Sequence, residues 1–290
     1  MKRSFSKKEL FLDTTIQISR FIREQEFKEK IKMQLSNFEQ IVTSLIVLLE
    51  FKRRLLGEAI YLLNLLNDKQ SYQKVRRHIE NILQPQQRRK KQICLNILST
   101  VFEEASDSEL TERAKQYLRM LIKHGVYRFK KSINILIENS GCECAKMPII
   151  EKEPYKRYEL NVSMCRKLIQ QNKGCPLENF IRRNLEILRE LLNYLQTFPP
   201  NEKSEEIERS ERFIQDVINN PGDIIKERPC YTVGDLLIAL ESKEIENFYT
   251  MNWSESKFFC DFFNQNLILR PNNPNNEDEI FPRELKPWRR

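Results

Sequence analysis

Short apolar runs alternate with stretches of helical periodicity near both ends of the chain. Residues 10–12 predict a strand, and the apolar positions of residues 16–22 recur with helical spacing. Residues 40–44 predict a second strand, followed by a long helix over residues 45–66 that Gly57 is expected to interrupt. Near the other end, the pattern predicts helices at residues 232–242 and 254–263 and strands at residues 247–250 and 266–269. This alternation predicts an α/β fold with a parallel sheet.

Residues 72–131 differ from these segments in charge. They carry fourteen Lys and Arg against six Asp and Glu, an excess of eight that equals the net charge of +8 of the whole chain. We predict helices here, with Pro85 as a break, Ser106 and Glu109 as a capping box, and Gly125 as a C-terminal stop. Charge this uneven is typical of a surface that faces a polyanion.

The segment that follows is of mixed type. Residues 126–175 mix short apolar alternations, at residues 133–137 and 158–162, with four of the seven cysteines. Residues 176–197 predict one long amphipathic helix ended by Pro199. A charged helix is expected over residues 201–219. The tail from residue 271 to residue 290 is rich in Asn, Pro and charge, and we expect it to be loose.

Composition excludes several classes of protein. With six glycines, the chain contains neither of the glycine-rich phosphate-binding motifs, so we expect no nucleotide cofactor. Two histidines argue against a histidine-based triad or metal site. The longest apolar run, residues 45–49, is far shorter than a membrane span, and no apolar leader follows Met1. We therefore expect a cytoplasmic protein with no membrane partner and no default use of disulfides.

Four acids stand at the ends of the predicted α/β elements: Asp13, Glu50, Asp235 and Glu255. Parallel sheets collect such positions at the carboxyl ends of their strands, where ligands bind. Carboxylates that converge there suit hard divalent cations such as Mg²⁺ or Mn²⁺, which can activate water for attack on a phosphodiester.

Each acid also has a structural interpretation. Asp13 can cap the helix that follows it, and Asp235 and Glu255 can be read as capping-box acids after Thr232 and Asn252. Glu50 lies within an apolar helical segment and needs a partner, for which Arg54 at i+4 is the simplest candidate.

The order and context of these acids resemble the PIN-domain nucleases. The matching segments are Leu-Phe-Leu-Asp13-Thr-Thr, Ser-Leu-Ile-Val-Leu-Leu-Glu50, Gly-Asp235-Leu-Leu-Ile-Ala and Thr250-Met-Asn252-Trp-Ser-Glu255. The resemblance implies that Asp13, Glu50 and Asp235 bind Mg²⁺ or Mn²⁺, with Asn252 and Glu255 as supporting catalytic groups. It also implies cleavage of single-stranded RNA.

The resemblance covers about residues 8–66 and 223–270 and implies a discontinuous PIN-like three-layer domain, residues 1–70 with 221–270. Residues 71–220 form a large, mainly helical basic insertion in this interpretation. The chain departs from the family pattern in this insertion and in its last acid, Glu255, which replaces the usual Asp and lacks the Phe that commonly follows.

Residues 72–131, which we name the basic block, supply the positive charge that binding of an RNA substrate requires. Tyr117, Tyr127 and Phe129 are interleaved with basic residues and can stack bases, although each can equally belong to the core. No motif reads the 2′-hydroxyl, so the residues alone leave RNA and single-stranded DNA as alternatives. His78 and His124 are assigned to the same polyanion-facing surface.

Four cysteines offer a structural metal site. Cys142, Cys144, Cys165 and Cys175 could bind a structural Zn²⁺, although their spacing is not that of a standard finger, and free buried thiols are an equal alternative. Cys94, Cys230 and Cys260 lie in apolar surroundings and are expected to be buried.

Three other interpretations remain beside the active nuclease. The chain could be a non-catalytic RNA-binding or scaffold protein with a degenerate PIN fold, which the imperfect fourth acid favours. It could be a toxin or defence component controlled by an inhibitory or activating protein partner, since many PIN nucleases are toxins. It could also be a helical interaction module in which the acids serve only as caps.

Overall fold

The computed structural model describes residues 9–82, 87–101, 105–152, 157–160, 175–199, 201, 203, 205–220, 233–269 and 280–281. Several sequence-based expectations lie outside these residues, namely those for Pro85, Cys165, Cys230 and Thr232. No helix among the described residues is long and apolar enough to cross a membrane.

A six-stranded sheet forms the centre of the molecule. Its order is β3-β2-β1-β6-β7-β8, and all neighbours run parallel except β7 and β8. A separate antiparallel pair is formed by β4 and β5. The strands are β1 (Glu9–Leu12), β2 (Gln40–Ser44), β3 (Ile135–Ile137), β4 (Ile149–Lys152), β5 (Arg157–Leu160), β6 (Asn247–Thr250), β7 (Asn266–Leu269) and β8 (Ile280–Phe281).

Helices make up most of the remaining described residues. Those before β3 are α1 (Thr14–Ile22), α2 (Gln25–Leu35), α3 (Leu45–Phe51), α4 (Gly57–Lys69), α5 (Tyr72–Glu80), α6 (Arg88–Ser99) and α7 (Asp107–Lys131). Those after β3 are α8 (Glu143–Lys146), α9 (Pro176–Arg183), α10 (Leu185–Gln196), α11 (Glu205–Asn219), α12 (Gly234–Ser242) and α13 (Trp253–Phe263). The α/β class predicted from the hydrophobic pattern is confirmed.

The alternation of side chains along β1 builds a core on each face of the sheet. Leu10 and Leu12 pack with Ile31 of α2 on one face, whereas Phe11 belongs to the larger core on the other face. Phe11 stacks on Phe248 of β6 within that larger core, with ring centroids 5.2 Å apart. Helices thus pack on both sides of a parallel sheet, which is a three-layer α/β arrangement.

One strand of the sheet comes from the segment that the sequence assigned to an insertion. β3 pairs in parallel with β2, matching Val42 with Ile135 and Ser44 with Ile137. The main sheet therefore draws on residues 71–220 as well as on the two flanking segments. The tail also differs from expectation, because Ile280–Phe281 pairs with β7 as an antiparallel edge strand.

The long helix after β2 continues through the expected interruption. Its backbone changes to π-helical hydrogen bonding over Lys52–Leu56 and returns to α-helix at Gly57, which keeps helical dihedral angles (φ −60°, ψ −44°). A π-helical turn of this kind is often found at functional sites. Here it carries Arg53 and Arg54, which both face the cleft described below.

Two predicted helix ends are wrong. Gly125 does not end α7, which continues to Lys131, because this glycine lets the helix pass close to Leu56; a Cβ atom there would lie 2.7 Å from Leu56 Cδ2. Residues 176–197 form two helices rather than one. The break falls at Asn184, whose backbone leaves the helical region and whose side chain donates a hydrogen bond to the Phe180 carbonyl at 2.8 Å.

The predicted capping box at the start of α7 is confirmed. The backbone N–H of Glu109 donates to Ser106 Oγ, and the backbone N–H of Ser106 donates to Glu109 Oε2 at 3.0 Å. We expect Ser106→Ala to lower the free energy of unfolding by about 1 kcal/mol, measured by urea denaturation. Ser106→Asp preserves a capping oxygen and should stay near wild type; an equal loss in both variants would contradict this role for the cap.

Candidate functional site

The strand order reverses beside β1, and three of the four predicted acids, Asp13, Glu50 and Asp235, lie near this point. From β1 the chain adds β2 and β3 on one side, and later places β6 on the other side. In open parallel sheets, ligands bind in the crevice outside the carboxyl ends of the strands at such a switch point. Asp13 directly follows β1, and its backbone N–H donates to the carbonyl of Tyr249 in β6 at 3.0 Å.

Asp13 is buried and held by donors from two segments. Its carboxylate caps α1 by accepting from the backbone N–H groups of Thr14 and Thr15, at 2.5 and 3.4 Å. The hydroxyls of Thr15 and Thr250 each donate to Asp13 Oδ2 at 2.8 Å. The capping interpretation of Asp13 is therefore correct, and it coexists with a fixed orientation of the carboxylate toward the strand ends.

The Thr250 hydroxyl ties β6 to the Asp13 carboxylate. We expect Thr250→Val, which keeps the shape but removes the donor, to lower the free energy of unfolding by about 2 kcal/mol, because the lost hydrogen bond goes to a buried charged group. Urea denaturation measures this loss. Thr250→Ser retains the hydroxyl as a control, and equal destabilisation of the two variants would show that the methyl group matters instead.

Glu50 is buried on α3, with its side chain 8% exposed. Burial raises the pKa of Glu50, the positive charge of Arg54 lowers it, and the negative charge of Asp13 raises it again. Arg54 Nη2 lies 3.4 Å from Glu50 Oε1, which is the partner that the sequence suggested. The effect of Asp13 places the two acids within electrostatic range of each other.

The same carboxylate packs against the start of α12. A Cβ atom added to Gly234 would overlap Glu50 Oε1, so a larger residue there would force this carboxylate to move. Asp235 is the next residue, in the first turn of α12, as predicted. Asp235 and Asp13 line one small pocket together with Phe248, Ser256 and Gln265. The structure thus brings Asp13, Glu50 and the Gly234–Asp235 turn together.

Asn252 and Glu255, the two predicted supporting residues, are described in less detail than the three acids. Asn252 occupies the N-cap position of α13 without a capping side-chain hydrogen bond, and it lines the cleft described below. Its backbone N–H donates to Thr250 Oγ1 at 2.9 Å. Glu255 lies in the first turn of α13, but its side chain is outside the described part of the chain.

The chemistry of this donor set fits a hard divalent cation, because it consists of carboxylates backed by hydroxyl and amide groups. The arrangement is not a ready coordination sphere. Within the described residues, no three His, Cys, Asp or Glu side chains are grouped closely enough to hold a metal ion. Asp13 is turned toward its hydroxyl and amide donors, and Glu50 is turned toward Arg54.

A cleft of about 570 Å³ opens beside Glu50. α1, the π-helical turn and α6 form its walls, and the residues after β6 close one end. Its apolar surface comes from Ile18, Ile22, Ile93 and Met251. Five cations line it against the two acids Glu50 and Glu58: Arg23, Arg53, Arg54, Arg89 and Lys90. We name it the basic cleft, and its charge suits an anionic ligand.

The basic block divides between this cleft and an outer surface. Arg89 and Lys90 line the cleft, whereas most of the charge on α7 faces solvent. Of the three aromatic residues that were candidates for base stacking, Phe129 is fully buried in the core and Tyr117 is half-buried against it. Tyr127 alone among the three is exposed, so the core alternative is correct for Phe129.

The described cysteines show no zinc site. Cys142 and Cys175 are not disulfide-bonded, whereas Cys144 is, although disulfides were not the default expectation from the sequence. Cys94 and Cys260 are buried as expected, and burial strongly raises the pKa of both thiols.

Glu241 is a buried carboxylate whose role the sequence did not reveal. It accepts from the backbone N–H of Ile46 at 3.3 Å and from that of Ser140 at 3.1 Å. Burial raises its pKa. Because Ile46 lies one turn before Glu50 on α3, this contact holds α3 against α12 and so keeps Glu50 beside Gly234.

The contacts that assemble the site were also hidden from the sequence. Thr15 and Gly234 are adjacent to residues that the sequence analysis identified, yet no local pattern shows that Thr250 contacts Asp13 or that Gly234 contacts Glu50.

Comparison with known proteins adds no relative from which such contacts could be transferred. No family model matches the chain, and neither a curated protein nor a solved structure is significantly similar to it.

Proposed function

We propose that this protein is a metal-dependent endoribonuclease of the PIN-like type that cleaves single-stranded RNA. The observation that carries the proposal is the meeting of Asp13, Glu50 and the Gly234–Asp235 turn at the switch point of the sheet. Acids from three distant segments gather where a parallel α/β sheet binds its ligands. They lie next to a cleft lined by five cations.

Asp13, Glu50 and Asp235 would hold one Mg²⁺ or Mn²⁺ ion. When bound, such an ion lowers the pKa of a coordinated water and stabilises the charge that develops on the phosphodiester. Thr15 and Thr250 orient the Asp13 carboxylate by hydrogen bonds, so its direction is set before any substrate arrives. Burial disfavours the charged form of Glu50, and a cation beside that carboxylate would relieve the penalty.

The basic cleft supplies the substrate site in this proposal. Arg53 and Arg54 stand next to Glu50 and can contact the phosphates near the cleavage position. Arg89 and Lys90 on α6 can contact phosphates farther along the strand. The apolar walls contributed by Ile18, Ile22 and Ile93 can receive bases, and Asn252 can hydrogen-bond near the acids.

One observation favours a second candidate, a non-catalytic RNA-binding or scaffold protein with the same fold. Glu50 already pairs with Arg54, and the described carboxylates do not form a ready ligand group. If this pair persists in solution, the cleft would bind RNA through its cations without cutting it. The two candidates differ in whether the protein cleaves RNA when a divalent metal is present.

The test is cleavage of a labelled, mixed-sequence single-stranded RNA by the full chain, with Mn²⁺ or Mg²⁺ and with EDTA. We expect cleavage with either metal and none with EDTA, because the acids alone do not activate water. A single-stranded DNA of the same sequence tests the choice of substrate. Binding that weakens with salt but gives no cleavage with either metal would contradict the nuclease and favour the second candidate.

A further inference from the structure

One face of α7 is exposed along most of the helix. Its members recur with helical spacing and all are exposed: Arg113, Gln116, Met120, Lys123, Tyr127, Lys130 and Lys131. We name this surface the α7 face. The opposite side of the helix is fixed in the core by Leu118, Leu121 and Phe129. The packing therefore determines which residues face solvent.

The charge on this surface is of one sign. No acid occurs between residues 113 and 131, and this stretch carries seven Lys and Arg. Lys123, Lys130 and Lys131 form no ion pair with any residue that the structure describes, although exposed lysines on other helices do. Three exposed lysines without an ion pair to a described residue attract a polyanion.

Two large apolar side chains interrupt the row of cations. Met120 is 55% exposed and Tyr127 is 64% exposed, seven residues apart on the same face. An acidic protein would satisfy the charge but would give the Tyr127 ring no matching partner. A single nucleic-acid strand offers both a phosphate for each lysine and a base for the ring, because every base has a π-face.

The C-terminal end of α7 packs against α1, which forms one wall of the basic cleft. The Arg128 guanidinium lies 5.1 Å from the centroid of the Phe21 ring on α1. Ile22 and Arg23, the next residues of the chain, line the cleft. Arg20 Nη1 donates to the Ser132 carbonyl at 3.3 Å, which ties α1 to the end of α7. An RNA chain that leaves the cleft over α1 would therefore reach the C-terminal end of the α7 face.

We infer that the α7 face is a second binding surface for the single-stranded RNA that occupies the basic cleft. The choice of RNA rests on the proposed nuclease function. From Arg113 to Lys131 the helix is about 27 Å long, at about 1.5 Å per residue. That length matches about eight nucleotides at the stacked spacing of about 3.4 Å. The face therefore recognises long RNA and leaves short oligonucleotides to the cleft alone.

The experiment measures binding rather than cleavage, so that it stands apart from the catalytic proposal. Fluorescein-labelled oligouridylates of about 5 and about 15 nucleotides are titrated with the full-length chain carrying Asp13→Asn, in EDTA, at several salt concentrations. The test variant adds Lys123→Gln, Lys130→Gln and Lys131→Gln. A control with the same loss of charge adds changes to exposed cations on other elements: Lys146→Gln, Arg183→Gln and Arg212→Gln.

We expect the test variant to bind the long RNA at least tenfold more weakly than the control does. Its slope of log affinity against log salt should fall by about 2, since each lost phosphate contact on a single strand removes about 0.7. Both variants should bind the short RNA alike. Tyr127→Ala should weaken long-RNA binding by roughly 5- to 100-fold with the slope unchanged, and Tyr127→Phe should not.

Three results would overturn this inference. The test variant could bind the long RNA as the control does, or it could lose affinity equally for both lengths. It could also lose affinity for poly-glutamate as strongly as for RNA, with no effect of Tyr127→Ala, which would identify an acidic protein as the partner. None of these results would contradict the proposed nuclease function. Conversely, a failure of metal-dependent cleavage would not change the result of this binding experiment.

Discussion

Asp13→Asn is expected to lower metal-dependent RNA cleavage by about 10³-fold, equivalent to about 4 kcal/mol of activation free energy. The carboxylate stands at the carboxyl end of β1 and is oriented by the Thr15 and Thr250 hydroxyls. Asparagine removes its negative charge and would thereby weaken the proposed metal site. Initial cleavage rates with saturating Mn²⁺ measure the effect, and Asp235→Asn should behave alike.

The same substitution should leave the fold intact but lower the free energy of unfolding by about 2 kcal/mol, because the Thr15 and Thr250 hydroxyls lose their charged acceptor. Asparagine caps helices about as well as aspartate, so the start of α1 keeps its side-chain acceptor. Circular dichroism and urea denaturation check this. Asp216→Asn, an identical chemical change at an exposed position on α11, is the matched control and should cleave normally. Full activity in the Asp13→Asn variant would show that the site is assigned wrongly.

Gly234→Ala should reduce cleavage by about 100-fold, although it removes no acid. The added Cβ would overlap Glu50 Oε1, so the carboxylate must move away from Gly234 and Asp235. A displacement of about 1 Å in a reacting group can cost this much. Alanine is also a better helix former than glycine, and Glu50 has a flexible side chain, so stability should be little changed.

Gly125→Ala provides the matched control for this prediction. It makes the same change within a helix, and its Cβ also meets the end of a flexible side chain, that of Leu56. Because Gly125 lies on the buried side of α7 and not at the acids, cleavage should stay at the wild-type rate. Glu50→Asp in the Gly234→Ala background shortens the crowded side chain and should recover part of the activity. Equal losses in the two glycine variants would argue for a general packing effect.

The local elements of the sheet could be predicted from the sequence because each depends on neighbouring residues. The apolar run at residues 10–12 and the strands at residues 40–44, 247–250 and 266–269 all occur close to where the pattern placed them. The capping box of Ser106 and Glu109 was equally local and is also confirmed. Such features follow from short-range periodicity and hydrogen bonding.

Predictions of features that depend on tertiary packing were less accurate. Gly125 resembles a helix stop, but its missing side chain serves a close helix contact with Leu56. Residues 135–137 lie within the helical, basic part of the chain and still complete the sheet beside β2. The pairing of Thr250 with Asp13 spans 237 positions along the chain, and no local pattern encodes such a contact.

Binding of Mn²⁺ to the full chain, followed by the loss of the electron paramagnetic resonance signal of free Mn²⁺, tests the proposed metal site most directly. We predict saturable binding that Mg²⁺ displaces, that Asp13→Asn abolishes and that Gly234→Ala weakens. Asp216→Asn should bind as the wild type does. Failure of the wild-type chain to bind Mn²⁺, or equal binding by the Asp13→Asn variant, would contradict a metal-dependent site at these acids.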